Sequence, residues 1–185
     1  MITKGERYIG GGKLFFKENK AGSTEFEIGE VQSATLKIGV ETKDAFSKDS
    51  TMKKLVEKVA TAINATIAFE TQITNAHNTA MAMLGSANSE TFAIGDTLPD
   101  GTVATASTVI HVIEVGTRPI IEGQLKFVGD EDGAKKPVLL VFNAVITPTG
   151  DIGYIVEDFS KLSFEGAVLK TDEGYAKEYR MEVGA

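Results

Sequence analysis

From residue 59 to residue 73 the apolar side chains Val59, Ile63, Ile67, Phe69 and Ile73 fall on one parity, and Asn64, Thr66, Glu70, Gln72 and Thr74 fall on the other. That is the period of a pleated strand, whose successive side chains point to opposite faces. At about 3.3 Å per residue such a strand spans roughly 50 Å, where globular strands usually stop near six residues. The pattern therefore predicts a large curved sheet with one face wetted along its length. Residues 31–41 repeat the pattern, with Ala34, Leu36, Ile38 and Val40 on one face and Thr35, Lys37 and Glu41 on the other. Matched parities predict that the two stretches are antiparallel neighbours in one sheet. The connection between them, residues 42–58, carries Lys43, Asp44, Lys48, Asp49, Lys53, Lys54, Glu57 and Lys58, punctuated by Phe46, Met52, Leu55 and Val56. Its charge is dense and its apolar residues scattered, so it reads as a long loop outside the core that orders only against a partner surface.

Elsewhere the pattern yields shorter elements. Residues 8–17 read as a first strand, with Gly10, Gly11 and Gly12 marking a bulge or a close backbone approach. Residues 75–84 form the best helix candidate, with Asn75 as cap and Gly85 as stop, and Met81, Met83 and Leu84 as its packing stripe. Residues 86–117 read as an insertion. A hairpin is expected from residues 120–128, the turn 129–133 and residues 138–147, the second strand apolar on both faces and hence central. Residues 158–170 and 175–183 are expected to close the chain as a final hairpin. The aromatics Phe15, Phe16, Phe127, Phe142, Phe159 and Phe164 are expected in the core of packed sheets.

Composition agrees with one mainly β domain spanning residues 1–185. The chain holds 19 glycines and 42% hydrophobic residues, enough for one good core. A net charge of −7 argues against a basic face that grips nucleic-acid phosphates. Without cysteine there are no disulfides, thiolate metal sites or cysteine nucleophiles. The first twelve residues lack a secretory apolar core, and the apolar run 138–146 is too short to span a bilayer, so the chain is expected to be kept in the cytosol or to leave it without a cleaved signal. Catalytic and ligand chemistry finds no anchor. Leu14 follows Lys13 where a phosphate loop needs Ser or Thr, His77 and His111 stand far apart, Asp130, Glu131 and Asp132 lack calcium-loop alternation, and no Gly-x-Ser-x-Gly elbow occurs. No catalytic residue, cofactor or metal site is expected, and the weight moves from enzyme toward assembly.

The order of these features resembles the major tail tube proteins of long-tailed bacteriophages. The likeness lies in Tyr8-Ile9-Gly10-Gly11-Gly12-Lys13-Leu14, in two long strands around a charged connection, and in a helix closing with Met83-Leu84-Gly85. It continues in Leu125-Lys126-Phe127-Val128-Gly129, Pro148-Thr149-Gly150-Asp151 and the run from Leu162 to Leu169. It covers nearly the whole chain, with residues 86–117 as the part expected to vary most.

The resemblance implies a β-sandwich or partial barrel with one flanking helix and a long inter-strand assembly loop. It also implies hexameric rings stacked into a tube in the virion tail, assembled in the host cytoplasm. The polar parity, Thr35, Lys37, Glu41, Asn64, Thr66, Glu70 and Gln72, would face an acidic lumen through which DNA passes without specific binding. Phe46, Lys48, Met52, Leu55 and Val56 would make subunit contacts with the adjacent ring. Implied partners are further copies of the chain, a tape-measure protein and tail-end proteins, with no membrane span. Two other readings stand beside this one. The chain could be the tube of a secretion or tailocin-like injection machine, or a small-ligand-binding β-barrel whose apolar parity lines a cavity.

Overall fold

The computed structural model describes residues 10–48, 52–131 and 135–182. Expectations resting on Tyr8, Ile9, Asp49, Asp132, Gly133 and Val183 lie outside these. The described elements are β1 (Gly12–Glu18), β2 (Phe26–Glu27), β3 (Val31–Ser47), β4 (Lys54–Thr71), α1 (Ala76–Ala82), β5 (Ser86–Phe92), β6 (Thr108–Glu114), β7 (Ile121–Gly129), β8 (Lys135–Pro148), β9 (Leu162–Val168) and β10 (Ala176–Glu182). The fold is mainly β, as the patterning predicts. Eight strands make one antiparallel sheet in the order β2-β1-β7-β8-β9-β4-β3, with β10 also on β8, and β5 and β6 form a separate two-stranded sheet.

β3 and β4 are antiparallel neighbours with Leu36 opposite Ile67, Ile38 opposite Ala65 and Val40 opposite Ile63, so the two apolar parities share a face. The loop expected at 42–58 is overturned. Most of that segment is strand: Thr42 pairs with Ala60, Lys43 with Val59, Asp44 with Lys58, Ala45 with Glu57 and Phe46 with Leu55. Two register shifts, at Glu41/Thr42 and at Ala45/Phe46, let the ladder continue while the apolar period breaks. Backbone pairing needs no core of its own, and Asp44 opposite Lys58 places opposite charges across the ladder. The segment is therefore a projecting two-stranded arm, paired within the single chain without a partner.

The final hairpin is also corrected. β9 pairs with β4 on one edge and with Ala144–Pro148 of β8 on the other, so both its edges are filled. β10 takes the stretch of β8 that remains, Lys135–Val141, on the edge opposite β7. The turn from Thr171 to Gly174, closed by backbone bonds of 2.9 and 3.1 Å, thus carries the chain along β8 and not back onto β9. β8 is central, as expected from its two apolar faces.

One face of the sheet holds the core, where Leu14, Phe16, Ile67, Phe69, Leu125, Ile146 and Phe164 pack with Ile28 and Met81. The rings of Phe69 and Phe164 stack at 4.9 Å, and Phe26 meets Phe16 edge-on. Helix α1 begins where Asn75 predicts it: the Asn75 side chain accepts the Asn78 N–H at 2.8 Å. It ends one residue earlier than the glycine suggests. Leu84 takes φ 48°, its N–H bonded to the Met81 carbonyl, and the Gly85 N–H reaches the Ala80 carbonyl. This double closure usually places glycine where Leu84 stands. Gly85 serves instead to let the chain pass the Glu114 carbonyl of β6, where a Cβ would collide. Gly12, with φ 149°, likewise lies against the Val128 carbonyl, the close approach expected of the glycine run. Replacing Asn75 by alanine is expected to cost about 1 kcal/mol by removing the cap. Urea unfolding of the purified chain measures it, and an unchanged midpoint would show that tertiary packing alone holds the helix.

Among the described residues, two polar side chains are fully enclosed. Asn78 donates from Nδ2 to the carbonyls of Ile28 at 2.7 Å and Ile73 at 2.9 Å, tying the segment before β3 to the one before α1. Thr71 donates to the Glu30 carbonyl at 3.0 Å and accepts the Ile73 N–H at 3.1 Å. These bonds answer backbone groups that burial would otherwise leave without partners.

Candidate assembly surface

The seven polar residues singled out in the sequence come together on the face opposite the core. Lys37 stands opposite Thr66, Thr35 opposite Ala68 and Ser33 opposite Glu70, and the Asn64 side chain donates to the Glu41 carboxylate at 2.7 Å. Gln72 accepts from Gln32 at 3.3 Å, and Glu70 pairs with Lys161 at 3.3 Å and accepts from Ser163 at 3.4 Å. This face continues across β9 through Glu165 and Ala167, whose neighbours Phe164 and Val168 are buried. It carries charges of both signs, Lys37 and Glu41 on β3 and Lys161 paired with Glu70, where the resemblance implies an acidic wall.

β9 ends at Val168, opposite Ala65. From there to Lys54, at about 3.3 Å per residue, the arm projects roughly 35 Å. Tyr175 marks the fork, its hydroxyl donating to the Ile63 carbonyl at 2.6 Å. Among the described residues, no strand of the chain pairs with the outer edge of β3 or with β4 between Lys54 and Asn64 on its other side. The arm's apolar residues are close to half exposed or more, from Val59 at 47% to Val56 at 68%, and include Ile38, Val40, Phe46, Leu55 and Ile63. Of the expected contact residues, Phe46 and Leu55 are a cross-strand pair near the tip, Val56 sits at the second register shift, and Lys48 and Met52 flank the tip, both exposed. Ile38, Val40 and Ile63 make one exposed apolar cluster at the base of the arm and Phe46 with Leu55 a second near its end, separated by the Thr42–Ala60 and Asp44–Lys58 pairs. Apolar clusters left open on a single chain are typical of a surface that another protein covers.

A second apolar surface was not foreseen. Between β8 and β9, Tyr154, Ile155, Val156 and Phe159 stand in solvent, with Ile155 fully exposed. Phe159, expected in the core, is 79% exposed. Phe16 and Phe164 are buried as expected, while Phe15, Phe127 and Phe142 are partly so. The signal available was an apolar cluster held between the turn Pro148-Thr149-Gly150-Asp151 and the acidic pair Glu157-Asp158, which belongs to neither neighbouring strand.

Other chemistry is sparse. A cleft of about 400 Å³ lies among Glu18, Lys20, Phe26, His77, Ser86 and Arg118. There Arg118 is paired with Glu18 at 2.8 Å and the His77 ring stacks on Phe26. His111 shares a 3.1 Å hydrogen bond with Ser89. In the 86–117 segment, hydrogen bonds from the Thr102 hydroxyl and N–H hold the Asp100 carboxyl below the usual carboxylate range. Among the described residues no three His, Asp or Glu side chains gather as a metal site, and no helix is long and apolar enough to cross a membrane. No protein-family model matches the chain and no curated protein matches it, so a functional reading rests on its own patterning and geometry.

Proposed function

We propose that the chain is a tube-forming structural subunit of the phage tail tube type, whose hexameric rings stack around a polar lumen. The observation that carries this reading is the β3–β4 arm: a long ribbon with exposed apolar residues, whose outer edges no described strand of the chain pairs, projecting from a sheet whose opposite face is polar. Closing such sheets side by side into a ring removes their open edges, and stacking the rings covers the arm. In this reading the tube encloses a tape-measure protein, meets tail-end proteins and later conducts DNA, in the tail of the virion. A wall of mixed charge suits passage, because it neutralises few phosphates and so holds nucleic acid weakly. Negative-stain microscopy of the purified chain tests it: rings or tubes are expected, and uniform small particles at every concentration would reject it.

The lumen assignment has its own test. The chain has no cysteine, so single cysteines at Thr35, Asn64, Thr66 and Gln72 are clean probes. In assembled tubes these sites are expected to react with a small polar thiol reagent and to be shielded from a bulky macromolecular one. Protection from both reagents at every site would place this face against protein and not in a channel.

A further inference from the structure

The two exposed apolar surfaces lie at opposite ends of the same strands. Thr71 of β4 pairs with Leu162 at the start of β9, immediately after the 149–161 segment, while the arm leaves from the other end, beyond Ala65 and Val168. Their charges are also opposed. Residues 42–58 hold five lysines against Asp44, Asp49 and Glu57, a net-positive stretch in a chain of net charge −7. Residues 149–161 hold Asp151, Glu157 and Asp158 against the single Lys161, which is paired with Glu70. Each surface thus pairs exposed apolar side chains with one sign of excess charge: Phe46, Leu55 and Val56 on the arm, and Tyr154, Ile155 and Phe159 on the segment.

Resting on the tube reading, we infer that the 149–160 segment is the seat for the arm of a second copy of this chain. The contact is head to tail. A two-fold pair laid antiparallel would join each arm to the other's seat and close at two copies, whereas the polymer of the tube reading requires the head-to-tail form. A pole-to-pole contact leaves the growing stack with one free arm at one end and one free seat at the other, which makes it open along the strand direction. The apolar side chains supply the buried centre, and the lysines and carboxylates set orientation at its rim. This assigns a role to Phe159 and Ile155, whose exposure the fold of a single chain does not explain.

The test uses two single-cysteine full-length variants, Leu55→Cys and Ile155→Cys, made distinguishable by mass, mixed and oxidised. The mixed disulfide dimer is expected well above the one-half share of product that random pairing of an equal mixture gives. A mixed product at or below the one-half share that random pairing gives overturns the seat, whether or not tubes form. A mixed product from material that shows no tubes or rings in the microscope upholds the seat and rejects the tube reading. A charge exchange gives a second measurement. Asp151→Lys with Glu157→Lys and Asp158→Lys is expected to abolish sedimenting tubes, and combining it with Lys53→Glu, Lys54→Glu and Lys58→Glu is expected to restore them. Loss without restoration, in a variant that melts like the parent, counts against the pairing.

Discussion

Replacing Phe46, Leu55 and Val56 together by serine is expected to leave a folded subunit and remove tube formation. All three are more than half exposed in the single chain, so little burial is lost on truncation. Phe46 and Leu55 face each other across the ladder, a pair of the kind that contributes roughly 0.2–1 kcal/mol. That loss falls on the tip of the arm, far from the core cluster, and frays it locally. In an assembly the same side chains are the desolvated centre of a contact repeated in every subunit, and truncating such anchors typically costs 2 kcal/mol or more per site, roughly. Thermal melting of the subunit read beside microscopy of its polymers decides the matter. Normal tubes would show that the arm is not a joint, and a chain that cannot fold would place these residues in the core.

The largest effect on the fold itself is expected at Phe164. Its ring is 2% exposed and stacks at 4.9 Å on Phe69, its register partner in β4. Truncation to alanine is expected to cost about 3–5 kcal/mol, the range for a buried aromatic whose cavity cannot fully collapse. Domains have only about 5–15 kcal/mol to lose. Guanidinium unfolding of Phe164→Ala, Phe69→Ala and the double variant measures both the loss and the coupling, for which about 0.5–1.5 kcal/mol beyond area is expected of an aromatic pair. A loss under about 1 kcal/mol at Phe164 would mean the site is not closed by its neighbours.

What the amino-acid pattern made legible is what depends on local period. Leu36, Ile67 and Phe69 alternate with Thr35, Lys37, Thr66 and Glu70 because one side of the strands packs on the core and the other meets water, and that alternation gave both the pairing of β3 with β4 and the shared polar face. Asn75 was legible because an orphan N–H needs an acceptor at a fixed offset. The arm was not, because two register shifts break the period of two just where lysines and carboxylates accumulate, and dense charge resembles a loop whether or not the backbone pairs. The partner of β10 was not legible either: it follows from β9 having no free edge, a fact about three other segments. Phe159 misled for a similar reason, since an aromatic near a strand start looks like core until the chain's path places it outside. The same segment's complementarity to the arm became visible only when the topology put the two at opposite poles.

β9 has a further consequence in time. It is the sole strand, among the described residues, that joins the pair β3 and β4 to the rest of the sheet. The hairpin is local in the chain and can close as soon as it is made, but its apolar face at Ile67 and Phe69 waits for Leu162–Val168. Synthesis proceeds at about 5–20 residues per second. The roughly 90 residues between Thr71 and Leu162 therefore leave the hairpin uncovered for about 5–20 s on the ribosome. During that interval two nascent chains on one message present the same open edges to each other, and premature pairing competes with folding. Slowing initiation, which spaces ribosomes apart, would raise the yield of subunits that assemble only after they are complete.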